Sequence, residues 1–327
     1  MRSIHYNQIC LIANYSEIRS RDDINTNTEF LGRTFKCPVV PANMASVISF
    51  DLAKELSEAG YFYILHRFDD YLNIYEWIEA NQKLDTISIS VGVQPKDFYF
   101  IKDLSQDHIS VDYITIDVAH SDHILVKEII EQIKGLSHKK FRPKIIAGNV
   151  MTAEACLRLK DWGADAVKVG LSQGKGCSTY TTTGVGAGMW GVVKDCSTFA
   201  EDIPIIADGG IREVGDICKS LVAGANMVMI GSEFCKCKDS PAEIQEINYG
   251  EELNLKISKS LKVYYGSASV RNKGYNEYIE GFEVRLPMKN ETYLEYLFRI
   301  EQGIRSCMSY NGSANIRDLK GMKYIIQ

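Results

Sequence analysis

A short apolar or β-branched run, then a polar or glycine break, then a stretch with helical spacing: this unit recurs along the chain and constrains its fold more than any other feature. The runs are residues 38–42, 61–66, 87–91, 113–117, 144–148, 166–170, 203–208 and 227–231. Between them, segments such as 51–59 and 214–222 place apolar residues three or four apart, which is one face of a helix. Alternating β and α units require parallel strands joined by right-handed crossovers. Eight such units predict an α/β protein built as a closed (β/α)8, or TIM, barrel. An open doubly wound sheet is the alternative, and it is disfavoured because no Gly-x-Gly-x-x-Gly follows the first run.

Beyond residue 232 the rhythm stops. Residues 233–262 are polar and charged and predict a protruding hairpin or finger. Residues 264–290, rich in Gly, Asn, Tyr and charge, predict a mobile flap over a site. Tyr293, Leu297, Ile300 and Ile304 then mark one face of a closing helix. The expectation is a single barrel domain over residues 1–327 that carries this extension.

Charge and cysteine usage narrow the function classes. With 327 residues, 45% hydrophobic and 24% charged, the chain is long enough for a barrel-sized core. A net charge of −5, with no Lys/Arg-rich face standing out, argues against general nucleic-acid binding. Nine cysteines without paired CxxC motifs argue against a structural zinc, since Cys235 and Cys237 have no second cluster. No apolar run nears the ~20 residues of a membrane span, so the expected compartment is the cytoplasm.

One cysteine stands apart. Cys177 follows the run 166–170 in a loop with glycines at 170, 174 and 176. Such a loop exposes a thiol and brings main-chain amides close to a ligand, so Cys177 is a candidate nucleophile. At the barrel's two expected phosphate-binding positions stand Asp208-Gly209-Gly210 and Gly231-Ser232. Their bared N–H groups suit phosphate oxygens, and Asp208 suits ribose hydroxyls. Arg67 is a candidate counter-charge for a second ligand, and Asn43-Met44 could lie against a ring. His66, His120 and His123 read as structural.

The order and spacing of several segments resemble the IMP dehydrogenase/GMP reductase family, and within it the short bacterial reductases. They are residues 35–44, 114–120, 146–150, 163–170, the cysteine loop, 206–212, 229–232, 265–269 and 304–310. The resemblance implies a purine-nucleotide oxidoreductase in which Cys177 attacks purine C2, Thr179 relays a proton and Glu280 of the flap works with it. It implies GMP and IMP as ligands at Asp208, Gly209, Gly210, Gly231, Ser232, Gly266, Ser267, Ala268 and Gly281. It implies NADPH at Ser20, Arg21, Arg67, Asp117, Val118, Ala119, Ser306, Cys307, Met308 and Ser309. It further implies a monovalent cation, potassium, on the carbonyls of Gly174 and Cys177, and a homotetramer. Asn276-Glu277-Tyr278 replaces the Arg-Tyr pair of the dehydrogenases, and no inserted repeat pair separates the early units, so the reductase direction is expected. The alternatives are a dehydrogenase-type or modified-nucleotide oxidoreductase, or an inactive nucleotide-sensing barrel. Leu171-Ser172-Gln173-Gly174, Tyr180 and Ser121 depart from the reductase pattern.

Overall fold

A computed structural model describes residues 2–252, 255–274 and 276–327. After β1 (Ile9–Leu11) and the hairpin β2 (Thr28–Phe30)/β3 (Arg33–Phe35), the chain enters one parallel sheet. Its strands are β4 (Val39–Pro41), β5 (Ser88–Val91), β6 (Tyr113–Asp117), β7 (Lys144–Val150), β8 (Ala166–Val169), β9 (Ile205–Asp208) and β10 (Met227–Ile230). They lie in the order β4-β10-β9-β8-β7-β6-β5, so the first strand pairs with the last. Every residue of β5, β6, β8 and β10 is buried. A parallel sheet is covered on both faces, so even the polar residues of these strands, such as Ser88, Ser90 and Thr115, are buried.

The helices follow the expected rhythm: α1 (Phe50–Glu58), α2 (Tyr71–Ala80), α3 (Pro95–Gln106), α4 (Ile124–Gly135), α5 (Ala153–Trp162), the short α6 (Thr179–Thr183), α7 (Met189–Phe199) and α8 (Val214–Ala223). Ser49 caps α1 by accepting the Leu52 N–H at 3.3 Å, and Thr152 caps α5 by accepting that of Ala155 at 3.2 Å. These two hydroxyls fix where the chain turns from the sheet into a helix.

Two expectations need correction. The predicted strand at 61–66 is extended but meets the sheet through one bridge, Leu65 to Ile89. Side chains take over where a ladder was expected: the Tyr63 hydroxyl donates to Thr86 O at 2.7 Å and the Ser90 hydroxyl to Leu65 O at 2.7 Å. The polar stretch from Glu233 does not protrude at its start. It forms α9 (Ser232–Cys235), with Phe234, Cys235 and Cys237 fully buried. Phe234 packs against Tyr293 and Tyr296, with ring centroids 4.8 and 5.0 Å apart.

The hairpin itself is β11 (Ile244–Glu252) and β12 (Leu255–Tyr265), joined antiparallel by β13 (Glu283–Pro287) after α10 (Val270–Lys273). Helix α11 (Tyr293–Asn311) buries the predicted face of Tyr293, Leu297, Ile300 and Ile304. The terminal strand β14 (Tyr324–Ile326) pairs with β1. Among the described residues no helix is long and apolar enough to cross a membrane.

Candidate active site

Parallel register gathers the polar strand ends. Asp117 of β6 lies opposite Gly148 of β7, and Gly148 lies opposite Lys168 of β8. A side chain at Gly148 would collide with Lys168 Cβ, so glycine there lets the lysine cross to the carboxylate two strands away. Lys168 is 2% exposed and its ammonium donates to Asp117 Oδ1 at 2.8 Å, to Asp208 Oδ2 at 3.3 Å and to Asn43 Oδ1 at 3.3 Å. Asn149 donates to the same Asp208 oxygen at 2.9 Å and to Gly170 O at 2.7 Å. Arg67 Nε donates to Asp117 O at 3.1 Å and stands 3.7 Å from Asp117 Oδ2.

Burial alone would push the Asp117 carboxyl up, but Lys168 and Arg67 outweigh it and hold the group below its ordinary value. Burial would likewise lower Lys168, but Asp117 and Asp208 raise it. The Lys168–Asp117 pair is therefore ionised and mutually neutralising, the condition under which buried charge is tolerated. Lys168 and Asn149 were not singled out from the sequence. The signal was present, because a lone charge inside a four-residue apolar strand must find partners.

The cysteine loop packs on this cluster. Gly170 has φ +141°, and a side chain there would strike Asp208 O, so only glycine lets the loop leave β8 beside the end of β9. Cys177 is partly exposed, and its Sγ lies 3.2 Å from Thr179 Oγ1. The segment after α10 docks directly against it. Gly281 bridges to both Cys177 and Ser269, Ser178 N donates to Glu280 O at 2.9 Å and Phe282 N to Gly176 O at 3.0 Å. A Cβ on Gly266 would stand 2.8 Å from Gly176 O, so three glycines, 176, 266 and 281, allow the backbones to touch. The Glu280 backbone is thus beside Thr179. Among the described residues no hydrogen bond joins its carboxylate to the Thr179 hydroxyl.

The model of the IMP dehydrogenase / GMP reductase domain matches residues 3–327. The chain belongs to this family. A GMP reductase of Mesoplasma florum is 42% identical over 100% of this chain and 98% of its own length. One of Ligilactobacillus salivarius is 40% identical, covering 98% and 95%. One of Leptothrix cholodnii is 39% identical, covering 100% and 96%.

The other positions that the family resemblance implied fall into three places. Gly209 and Gly210 have φ of +108° and +77° and lie against the cysteine loop, where Gly210 N donates to Gln173 O at 3.2 Å. Gly231 and the buried Ser232 open α9, and the Tyr264 ring leans over Gly231 with its hydroxyl 3.4 Å from Met44 Sδ. Lys175, unnoticed in the sequence, stands in the cysteine loop, where burial and Lys236 lower its pKa, Glu233 raises it and Arg212 lowers it further; Lys236 itself pairs with Glu233 at 2.5 Å.

Arg67, Asp117, Val118 and Ala119 form the second place, with Val118 N donating to Gly148 O at 3.0 Å. Ser20, Arg21 and residues 306–309 form the third. Ser20 caps its turn by accepting the Asp22 N–H at 3.2 Å, and the Arg21 guanidinium lies 5.9 Å from the Tyr310 ring centroid. Met308 is fully buried, whereas Ser306, Cys307 and Ser309 are partly exposed. Of the histidines, His123 caps α4 by accepting the Leu125 N–H at 3.2 Å, and His66 Nδ1 accepts the Phe68 N–H at 3.1 Å.

Proposed function

We propose that this protein is a GMP reductase, converting GMP to IMP and ammonia with NADPH. The observation that carries the reading is the contact between the Cys177–Thr179 loop and the Glu280–Gly281 segment, beside the salt-bridged cluster of Lys168, Asp117 and Asp208. Relatives named GMP reductase that match the full length support it. The frame is a closed eight-unit barrel in one domain, residues 1–327. The 61–66 segment fills the gap between β5 and β4, and Lys36 N, just before β4, already donates to Gly60 O at 3.0 Å.

In this reading the purine monophosphate places its phosphate at Gly209, Gly210, Gly231 and Ser232, whose backbone N–H groups suit phosphate oxygens. Asp208, held by Lys168 and Asn149, accepts from the ribose. Gly266, Ser267, Ala268 and Gly281 close over the base as the flap, residues 264–290. The Cys177 thiolate attacks C2 and forms an S–C2 bond. The C2–N bond then breaks as Thr179 and Glu280 deliver a proton to departing ammonia, leaving a thioimidate. Division into two steps is what nucleophilic catalysis gains at an unreactive aromatic carbon. NADPH, when bound, would supply a hydride to C2, after which the S–C2 bond breaks, releasing IMP and returning the Cys177 thiolate. Arg67, beside Asp117–Ala119, would hold its reactive end, and Ser20, Arg21 and residues 306–309 its remainder.

A potassium ion would draw on the Gly174 carbonyl, which also accepts the Cys177 N–H at 3.1 Å, and on that of Cys177. A cytoplasmic homotetramer completes the proposal. The test is direct: NADPH oxidation with GMP should greatly exceed NAD reduction with IMP. The opposite order would make the protein a dehydrogenase.

A further inference from the structure

At the N-terminal ends of β6 and β7, away from Cys177, the surface opens into a cavity of about 290 Å³. Five cations line it, Arg33, Lys139, Lys140, Arg142 and Lys144, against the single carboxylate of Asp112. Arg33 pairs with Asp112, and Lys144 with Asp165 at 2.8 Å. Lys139, Lys140 and Arg142 have no ion-pair partner among the described residues. Such an excess of like charge is self-repulsive, and here it sits on a chain whose net charge is −5.

The cluster is also anchored. Lys139 and Lys140 occupy a tight turn closed by His138 N to Phe141 O at 2.9 Å and Phe141 N to His138 O at 3.0 Å. Phe141 is fully buried, and the His138 ring is tied to Ser105 O at 3.1 Å. The turn therefore holds its lysines at the cavity mouth, and Arg142 and Lys144 follow where the chain enters β7.

We propose that this cavity binds a short linear phosphate chain, of the kind found in tripolyphosphate or the tail of a nucleoside triphosphate. Three unpaired cations spread along a turn and a strand entry match a chain of phosphates better than one phosphate group. The cavity is at the small end of ligand sites, which run from ~300 Å³, so it takes the phosphates and leaves any nucleoside outside. An acidic molecule with one concave basic spot is poorly suited to a nucleic-acid backbone, which needs a continuous stripe. The site is remote from the proposed reaction, because β6 alone, from Tyr113 to Asp117, separates the two by about 13 Å at ~3.3 Å per residue.

Calorimetry tests this on the full chain with saturating GMP present, so that the proposed substrate site is filled. Tripolyphosphate should bind, and its affinity should fall as salt is raised. The triple variant Lys139→Ala, Lys140→Ala, Arg142→Ala should bind about tenfold more weakly or worse, since charge-assisted contacts are removed. Its unliganded melting temperature and its turnover of GMP should match the parent. Adenosine triphosphate should bind like tripolyphosphate, and inorganic phosphate much more weakly. Undiminished binding by the triple variant would overturn the proposal, as would no binding by the parent at low salt. Equal affinity for single phosphate would overturn the chain-length claim. Preference for a single-stranded oligonucleotide would reassign the patch to nucleic acid.

Discussion

At the scale of single residues, two side chains divide the chemistry. Cys177 is the only cysteine on the glycine loop that contacts the 280–282 segment, and its role is nucleophilic in our proposal. Cys177→Ser should lower turnover by roughly 10⁴-fold or more, in the range found when a catalytic nucleophile is removed, while GMP binding measured by calorimetry stays nearly intact. Lys168 acts through its partners. Asp117 is held below the ordinary carboxylate value, so the stability it contributes is fully present above about pH 3.9 and is lost as pH falls through the folded value. Lys168→Met leaves burial as the leading influence on Asp117, so its folded value rises to or above the unfolded one and the stability lost on acidification shrinks or reverses. The variant should lose about 3–5 kcal/mol of stability, the usual cost of stranding a buried charge. The acid limb of its melting temperature should also be shallower than in the parent, because protonating Asp117 then no longer opposes folding. Superimposable acid limbs would mean that Lys168 does not control Asp117.

At the scale of elements, legibility followed burial. The strands β5 to β10 were visible because both faces are largely covered, so apolar and β-branched residues dominate them. The same logic hid Lys168, which was read past as part of an apolar run. The 61–66 segment was overcounted as a strand because its apolar residues are buried by side-chain packing, with Phe62 5.0 Å from Phe35 and 5.2 Å from Tyr113 between ring centroids. Periodicity registers burial and is blind to whether the backbone is paired. The candidate nucleotide glycines were legible from their positions, but the contact of Gly176, Gly266 and Gly281 was not, since residues ninety apart meet there only through the fold. That contact makes a prediction: Gly266→Ala pushes on the Gly176 carbonyl. It should reduce kcat on the order of 10²-fold, as small misplacements do, with little change in melting temperature. Unchanged kcat would show that the 264–290 segment need not dock where it lies.

At the scale of the whole molecule, the two ends of the sheet carry opposite character. The C-terminal ends hold the salt-bridged cluster, the cysteine loop and the glycine turns, whereas the N-terminal ends hold the basic cavity. Four of the cavity's five cations, Lys139, Lys140, Arg142 and Lys144, fall within six residues and were read past in the sequence, whereas Arg33, a hundred residues away, joins them only through the fold. The central claim is that GMP becomes covalently attached to this polypeptide. Intact-protein mass spectrometry after incubation with GMP alone, followed by peptide mapping, tests it most directly. The account predicts a mass increase equal to GMP less ammonia, located on the peptide that contains Cys177 and missing from Cys177→Ser. Turnover of GMP by the native protein with no adduct, or an adduct on another cysteine, would contradict it.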